Sequence, residues 1–246
     1  MLIVLQKALA QAGVASRRHG EEMILAGRVW VNGEAARKLG TRVDVAKDKI
    51  TVDKKPILFD TELVYYLLNK PKGVVATTSD THRRDTVVDM IPTTERIVPV
   101  GRLDINTTGL LILTNDGDLV YKLTHPKFAN EKEYEALIQV PQTWDKARTA
   151  EMVKKFVQGV YITGGFKTSP AKVSIISQKT NDRYLVSIII HEGHKHQVRQ
   201  MINAIGASVV ELKRTRMGTM LLGDLPVGQW RKLNAEEIQE LKKSTA

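Results

Sequence analysis

The stretch Val98–Gly117 reads Val-Pro-Val-Gly-Arg-Leu-Asp-Ile-Asn-Thr-Thr-Gly-Leu-Leu-Ile-Leu-Thr-Asn-Asp-Gly, and it constrains the fold more than any other. Leu110 to Leu113 is a short, uninterrupted apolar run of the kind that forms a strand buried on both faces. Asn115-Asp116-Gly117 carries the turn chemistry that ends it. Architecture alone does not explain Arg102-Leu103-Asp104 followed by Asn106, Thr107, Thr108 and Gly109. That is a polar loop, with an acid beside a base, set immediately before a core strand. Loops held on rigid core elements are where sites tend to be built.

With 246 residues the chain can form one large domain, or a small one plus a medium one. Its hydrophobic fraction of 42% and charged fraction of 26% fit an ordinary soluble globular protein. No stretch approaches the roughly 18 to 20 apolar residues of a membrane helix, and Met1–Leu9 lacks the features of a signal peptide, so a cytoplasmic protein is expected. The absence of cysteine excludes disulfides, thiolate nucleophiles and Cys-based zinc sites. The net charge of +10 points to a polyanionic partner, with nucleic acid the expected one. Through residue 60 there are eleven Lys and Arg against seven Asp and Glu, so the N-terminal part is the more densely basic one.

Leu2, Leu5, Leu9 and Ala12 share one helical face and predict a helix over 2–12, ended by Gly13. Ser16 reads as the N-cap of a second helix, whose first turn holds Arg17, Arg18 and His19. Cations there oppose the helix dipole, at a cost of roughly a few tenths of a kcal/mol. A phosphate site accounts for that choice, because a helix N-terminus with arginines binds anions. Gly27 ends this helix, Arg28–Val31 alternates like a strand, and Asn32-Gly33 is a strong hairpin signal. Val43, Ile50 and Val52 suggest further short strands. Leu5-Gln-Lys-Ala-Leu-Ala-Gln-Ala-Gly-Val-Ala-Ser-Arg-Arg, followed by Ile24-Leu-Ala-Gly-Arg-Val-Trp-Val-Asn-Gly, closely resembles the S4 RNA-binding domain. The resemblance implies an RNA-binding surface that includes Lys7, Arg17, Arg18, Arg28 and Asn32.

A polar, proline-bearing joint at Lys54–Thr61 separates a domain over 1–60 from a larger one over 61–246. In the larger part, strand signals fall near Leu63–Leu68, Tyr134–Val140, Val173–Ser177, Tyr184–Ile190, Val209–Leu212 and Met220–Leu222. Helix signals fall near Asp118–Leu123, Trp144–Val157, Lys195–Ile205 and Glu236–Lys242, the last with a capping-box pair at Asn234 and Glu237. Strands and helices mix without steady alternation, which predicts an α+β domain with a mostly antiparallel sheet.

Several chemistries lose support on inspection. Asp104-Ile-Asn106-Thr-Thr108-Gly109 fits the start of a calcium loop, but position twelve is Asn115 and Leu110–Leu113 reads as strand. His191-Glu-Gly-His194-Lys-His196 has two His three apart with a glycine between, not the four-residue spacing of a zinc helix. It reads as a strand-to-helix turn whose polar side chains face a polyanion. No nucleotide-binding glycine motif is present, and the clustered carboxylates of a metal-dependent nuclease are missing. Arg199 opens a helix on its polar face, and Tyr134 begins a strand where it could stack on a base.

Gly101-Arg-Leu-Asp through Asn115-Asp-Gly117 is similar to the catalytic signature of the bacterial ribosomal RNA pseudouridine synthases of the RsuA/RluB group. The resemblance continues at His125-Pro126, Lys132-x-Tyr134, Glu192-Gly193, Gln197-Val-Arg199, Leu212-Lys-Arg and Gly228-x-Trp-Arg231, in the family's order. It implies that Asp104 is the nucleophile that attacks uridine, paired with Arg199, with Arg102 a second arginine at the same loop. Tyr134 would stack on the base and Leu212 would line the pocket. It also implies a mostly antiparallel sheet flanked by helices, no cofactor and no metal, and a monomer acting on ribosomal RNA. Two departures stand out: His194 and His196 replace the usual arginines, and Gln200 replaces another, which bears on RNA contacts more than on chemistry. The competing class is a non-catalytic RNA-binding or ribosome-assembly protein built from the same two domains.

Overall fold

The computed structural model describes residues 2–142 and 144–244. They form two compact units: one made of the chain up to Val64 with Thr93–Arg96 and Asn115–Gly117, the other of Tyr65–Pro92, Ile97–Thr114 and the chain from Asp118 onward.

In the smaller unit Leu2–Val4 is a strand, not the first turn of a helix as the leucine spacing predicts, and the helix is Leu5–Gln11. Ile3 and Val4 are β-branched, which favours extended backbone, and a partner is available: Leu2–Val4 pairs antiparallel with Arg42–Asp44. The Leu5 N–H then donates to the Thr41 carbonyl at 2.8 Å. The second helix, Arg17–Leu25, is capped by Ser16, whose Oγ accepts from the His19 N–H at 3.1 Å. Leu5, Leu9, Met23, Ile24, Val29, Val43 and Ile50 make the core of this unit. Val29–Val31 lies in a four-stranded sheet between Glu34–Ala35 and Ile50–Val52, with Lys55–Pro56 at the far edge. Asn32 and Gly33 both have positive φ, +52° and +90°, the backbone that a two-residue hairpin turn requires.

The larger unit is built on a nine-stranded sheet. Its path runs Lys172–Thr180, Arg183–Ile190, Lys132–Gln139, Ser208–Met217, Thr108–Thr114, Tyr65–Lys70 and Trp230–Lys232, with Met220–Leu221 and Val98–Pro99 paired beside it. Every pairing is antiparallel except Ser208–Met217 with Thr108–Thr114. The helices are Gly117–Thr124, Lys146–Gln158, Gln197–Ala204 and Ala235–Lys243. The expected capping box is present at the last of these: Asn234 and Glu237 each accept the other's N–H at 2.9 Å. Leu110, Leu111, Ile112 and Leu113 are all fully buried. Leu110 and Ile112 pack in a cluster with Tyr65, Leu67, Leu119, Leu123 and Met217.

Two features were not legible as strand. Ser208–Met217 continues past Leu212 through Lys213, Arg214, Thr215 and Arg216. That charged half is held because the adjacent strand and the residue before it supply its partners: Arg216 pairs with Glu131 and Glu133, both at 3.0 Å. Trp230–Lys232 is too short to show a period, and it is held at the sheet edge by Trp230, whose ring meets Tyr66 edge-on at 5.6 Å.

The parallel pair places Arg214 beside Gly109 and Lys213 beside Thr108. It therefore joins the strand that follows the Asp104 loop directly to the strand that carries Leu212 and Arg214.

Candidate active site

The loop before Thr108–Thr114 is held from below. Leu103 and Thr107 are buried, and the Thr107 N–H donates to the Asp104 carbonyl at 3.0 Å, closing a turn over 104–107. The Gly73 N–H donates to the Ile105 carbonyl at 2.9 Å. Lys70, which is wholly buried, sends its ammonium to three carbonyls: Pro71 at 2.8 Å, Thr107 at 3.1 Å and Ile105 at 3.4 Å. An ammonium has three N–H donors, so two are spent on this loop and the third on the neighbouring Pro71 carbonyl. Burial pulls Lys70 down to about 8, against the opposing pull of the Asp104 charge. Sequence alone puts Lys70 in the turn after the strand; it is instead the last residue of Tyr65–Lys70.

Fixed in this way, the Asp104 side chain stays 33% exposed. It lines a cleft of about 710 Å³, together with Arg102, Tyr134, Leu212, Lys132 and Arg214. Tyr134 is 8% exposed and lies directly across the sheet from Arg214. Leu212 is buried, and its carbonyl accepts from the Thr108 hydroxyl at 3.4 Å. His194 and His196 also line the cleft, with His194 packed against the Phe166 ring at 3.9 Å between centroids.

His196 and Arg199 meet this loop in different ways. His196 Nε2 lies 3.6 Å from Asp104 Oδ1. The backbone of His196 is left-handed, with φ +54°, and it stands at the N-cap of Gln197–Ala204. Arg199, in the first turn of that helix, reaches the same loop at its backbone: Nη2 donates to the Asn106 carbonyl at 3.1 Å. Arg199 thus clamps the turn that carries Asp104, while the imidazole faces the carboxylate. Glu192, in the intervening segment, accepts from both the N–H and the hydroxyl of Ser169 at 3.0 Å.

Lys70→Met keeps the bulk of the side chain and removes all three donors. The expected outcome is a turnover rate about a hundredfold lower with RNA affinity retained, because a loop displaced by about 1 Å costs that much in alignment. Single-turnover rates beside filter binding check it, and an unchanged rate would show that the loop does not depend on this ammonium.

In the smaller unit, Arg17 and Arg18 are exposed at the start of their helix. Arg28 and Asn32 are engaged within the unit. Arg28 forms a two-pronged ion pair with Asp53, and Asn32 donates to Asp48 and accepts from the Lys49 N–H, both at 2.9 Å. Lys7 is half-buried on Leu5–Gln11. Among the described residues no group of three His, Cys, Asp or Glu could hold a metal ion, and no helix is long and apolar enough to cross a membrane.

The sequence and the fold that build this cleft have counterparts among known proteins. The RNA pseudouridylate synthase family matches residues 64–204, and the S4 domain matches residues 5–50. The chain is 40% identical over 243 residues to the ribosomal large subunit pseudouridine synthase B of Bacillus subtilis (strain 168), covering 97% of this chain and 95% of that one. It is equally similar, 40% over 248 residues, to an uncharacterized RNA pseudouridine synthase of Aquifex aeolicus (strain VF5), covering 99% and 95%. A crystal structure of a pseudouridylate synthase matches with a TM-score of 0.69 at 30% identity, over 97% of this chain and 99% of that chain. The chain belongs to the RNA pseudouridylate synthase family, with an S4 domain at its N-terminus. It is an RNA pseudouridine synthase.

Proposed function

We propose that this enzyme converts one specific uridine, or a few, in ribosomal RNA to pseudouridine, with Asp104 as nucleophile. The observation that carries the reading is the convergence of Asp104, Tyr134 and Leu212, from three separate stretches of chain, on one cleft. The ribosomal target is supported by the similarity to a Bacillus subtilis ribosomal large subunit pseudouridine synthase, and such a target places the protein in the cytoplasm. Residues 1–60 hold the RNA and residues 61–246 carry out the isomerisation.

In this reading a carboxylate nucleophile splits one difficult displacement into two easier ones through a covalent intermediate. Arg199 holds the Asn106 carbonyl of the nucleophile's turn and Lys70 the Ile105 and Thr107 carbonyls on either side of it, and Arg102 lines the same cleft. Tyr134 offers the ring face on which the base stacks. The target must leave its own stack at a cost of about a few kcal/mol, lowest in a loop or bulge. Contacts elsewhere on the RNA offset that cost.

The test is release of tritium from ribosomal RNA labelled at uridine C5, because C5 exchanges its hydrogen for a bond to the ribose. Turnover is expected with purified protein; none, with RNA binding intact, would favour a ribosome-assembly role. Arg17 and Arg18 are assigned to phosphate contacts. Replacing both with Ala should weaken binding and lower the slope of log affinity against log salt by about 1.5, the value for two phosphates. An unchanged slope would remove them from the interface.

A further inference from the structure

Two cations of the cleft floor have no part in the reading above. Lys132 and Arg214 both line the cleft. Arg214 faces Tyr134 across the sheet, and Lys132 lies two residues before Tyr134, on the same face of its strand. Arg214 is only 1% exposed; its Nε donates to the Leu110 carbonyl at 2.8 Å, while its buried Nη2 has no hydrogen-bond partner in the protein. The Lys132 ammonium donates to the Asn130 carbonyl at 3.1 Å. Among the described residues neither cation has a carboxylate within 4 Å. Glu192 attracts Lys132 from farther away, but both of its oxygens already accept from Ser169.

Two like charges placed together, Arg214 buried with an unmade hydrogen bond and Lys132 half-buried, are costly unless an anion joins them. Burial, and then the Arg214 charge, pull Lys132 down to about 8. A scaffold role does not require this, since an apolar side chain at position 132 would fill the same space more cheaply.

We propose that Lys132 and Arg214 are catalytic residues that form an anion site for the uracil ring while it is detached from the ribose. The proposal rests on Asp104 as nucleophile. When an Asp104 oxygen bonds to C1′, the C1′–N1 bond breaks and its electron pair goes to N1. The carboxylate's negative charge is consumed in the ester and reappears on the base, spread over N1, O2 and O4. The base turns, C5 bonds to C1′, and the ester bond breaks to restore the carboxylate. The C5 proton is lost to water and N1 takes one from water, so the sum is an isomerisation. For the life of the intermediate one negative charge has moved from Asp104 to the ring. Donors fixed beforehand where charge develops are among the strongest sources of rate.

Lys132 is the residue to vary, because Arg214 also supports the Leu110 carbonyl. Lys132→Met is expected to lower the single-turnover rate at saturating RNA by about a hundredfold, with RNA affinity within about twofold and melting unchanged. Lys132→Gln should behave the same way if the Met variant proves unstable, and Lys132→Arg should restore most of the rate. The groups that face Lys132 are Arg214 and Glu192, with His125 and His191 also in the cleft. Because arginine stays charged, the Lys132→Arg rate relative to wild type, at subsaturating RNA, should climb from pH 7 to 9; any limb due to Lys70 is common to both proteins and cancels. A Met or Gln variant within threefold of the wild-type rate overturns the proposal. So does weakened RNA binding with a flatter salt dependence and a normal saturated rate, which would mark a backbone phosphate site. Asp104→Asn is run alongside. Turnover in that variant removes the nucleophile assignment and this proposal with it, whereas an inactive Asp104→Asn beside a fully active Lys132→Met removes only the anion site.

Discussion

Asp104→Asn should abolish pseudouridine formation, lowering the single-turnover rate by at least about 10⁴-fold, while RNA affinity stays within about twofold. The substitution is close to isosteric, and nothing that holds the loop passes through the carboxylate. The turn is closed by backbone from Thr107, tied to Gly73, and filled from below by the Lys70 ammonium. The carboxylate's own neighbour is a half-exposed His196 at 3.6 Å, and such an exposed pair contributes little stability. Under the proposed role, what disappears is the chemistry, because a carboxamide does not form the ester that the displacement would require. Tritium release measured beside filter binding checks both halves, and substantial residual turnover would remove Asp104 from the role of nucleophile.

Gly109→Ala should be the most damaging substitution to the fold, costing about 4 kcal/mol and taking activity with it. Gly109 has φ +108°, a backbone that L side chains rarely adopt. A Cβ at this position would stand 2.2 Å from the Arg214 carbonyl oxygen and 2.6 Å from its nitrogen. Those are backbone atoms of the parallel partner strand and cannot swing aside. Relief requires the two strands to separate, and with them the Asp104 loop and the Arg214 side of the cleft. Strain of about 1–3 kcal/mol for the conformation adds to the broken strand pairing. Gly73→Ala is the matched control: its φ is +88°, but a Cβ there meets nothing within 4 Å, so about 1 kcal/mol is expected. Urea unfolding of the two variants separates the effects, and a Gly109→Ala protein as stable as Gly73→Ala would contradict the close approach.

How much of this was legible in the sequence depended on where each residue finds its partner. Leu110–Leu113, the Asn32-Gly33 turn and the Asn234–Glu237 capping box are local signals, and each appears where it was read. Leu2–Val4 misled because three residues cannot distinguish a helical face from a short strand; the Arg42–Asp44 partner decides it. Lys70 reads as part of a turn, and no local pattern marks Arg214 or Arg216 as enclosed strand residues, because charged side chains are rarely buried. All three are satisfied by groups far along the chain: the Ile105 and Thr107 carbonyls for Lys70, the Leu110 carbonyl for Arg214, and Glu131 and Glu133 for Arg216. The candidate site follows the same rule. Asp104 was suspicious on its own, as an acid in a polar loop before a core strand. Its meeting with Tyr134 and Leu212 came only from family resemblance, since no spacing pattern links positions that far apart. The His196 approach to Asp104 had a signal of a kind, the histidine in place of a usual arginine, but only the fold shows which carboxylate it faces.

The most direct test of the central claim is a pseudouridine map of ribosomal RNA from cells in which this protein carries Asp104→Asn, compared with the unaltered strain. The expected result is loss of one pseudouridine, or a small fixed set, at defined positions, with the remaining modified sites unchanged and the variant present at normal abundance. An identical map in the two strains would contradict the assignment of this cleft to ribosomal RNA.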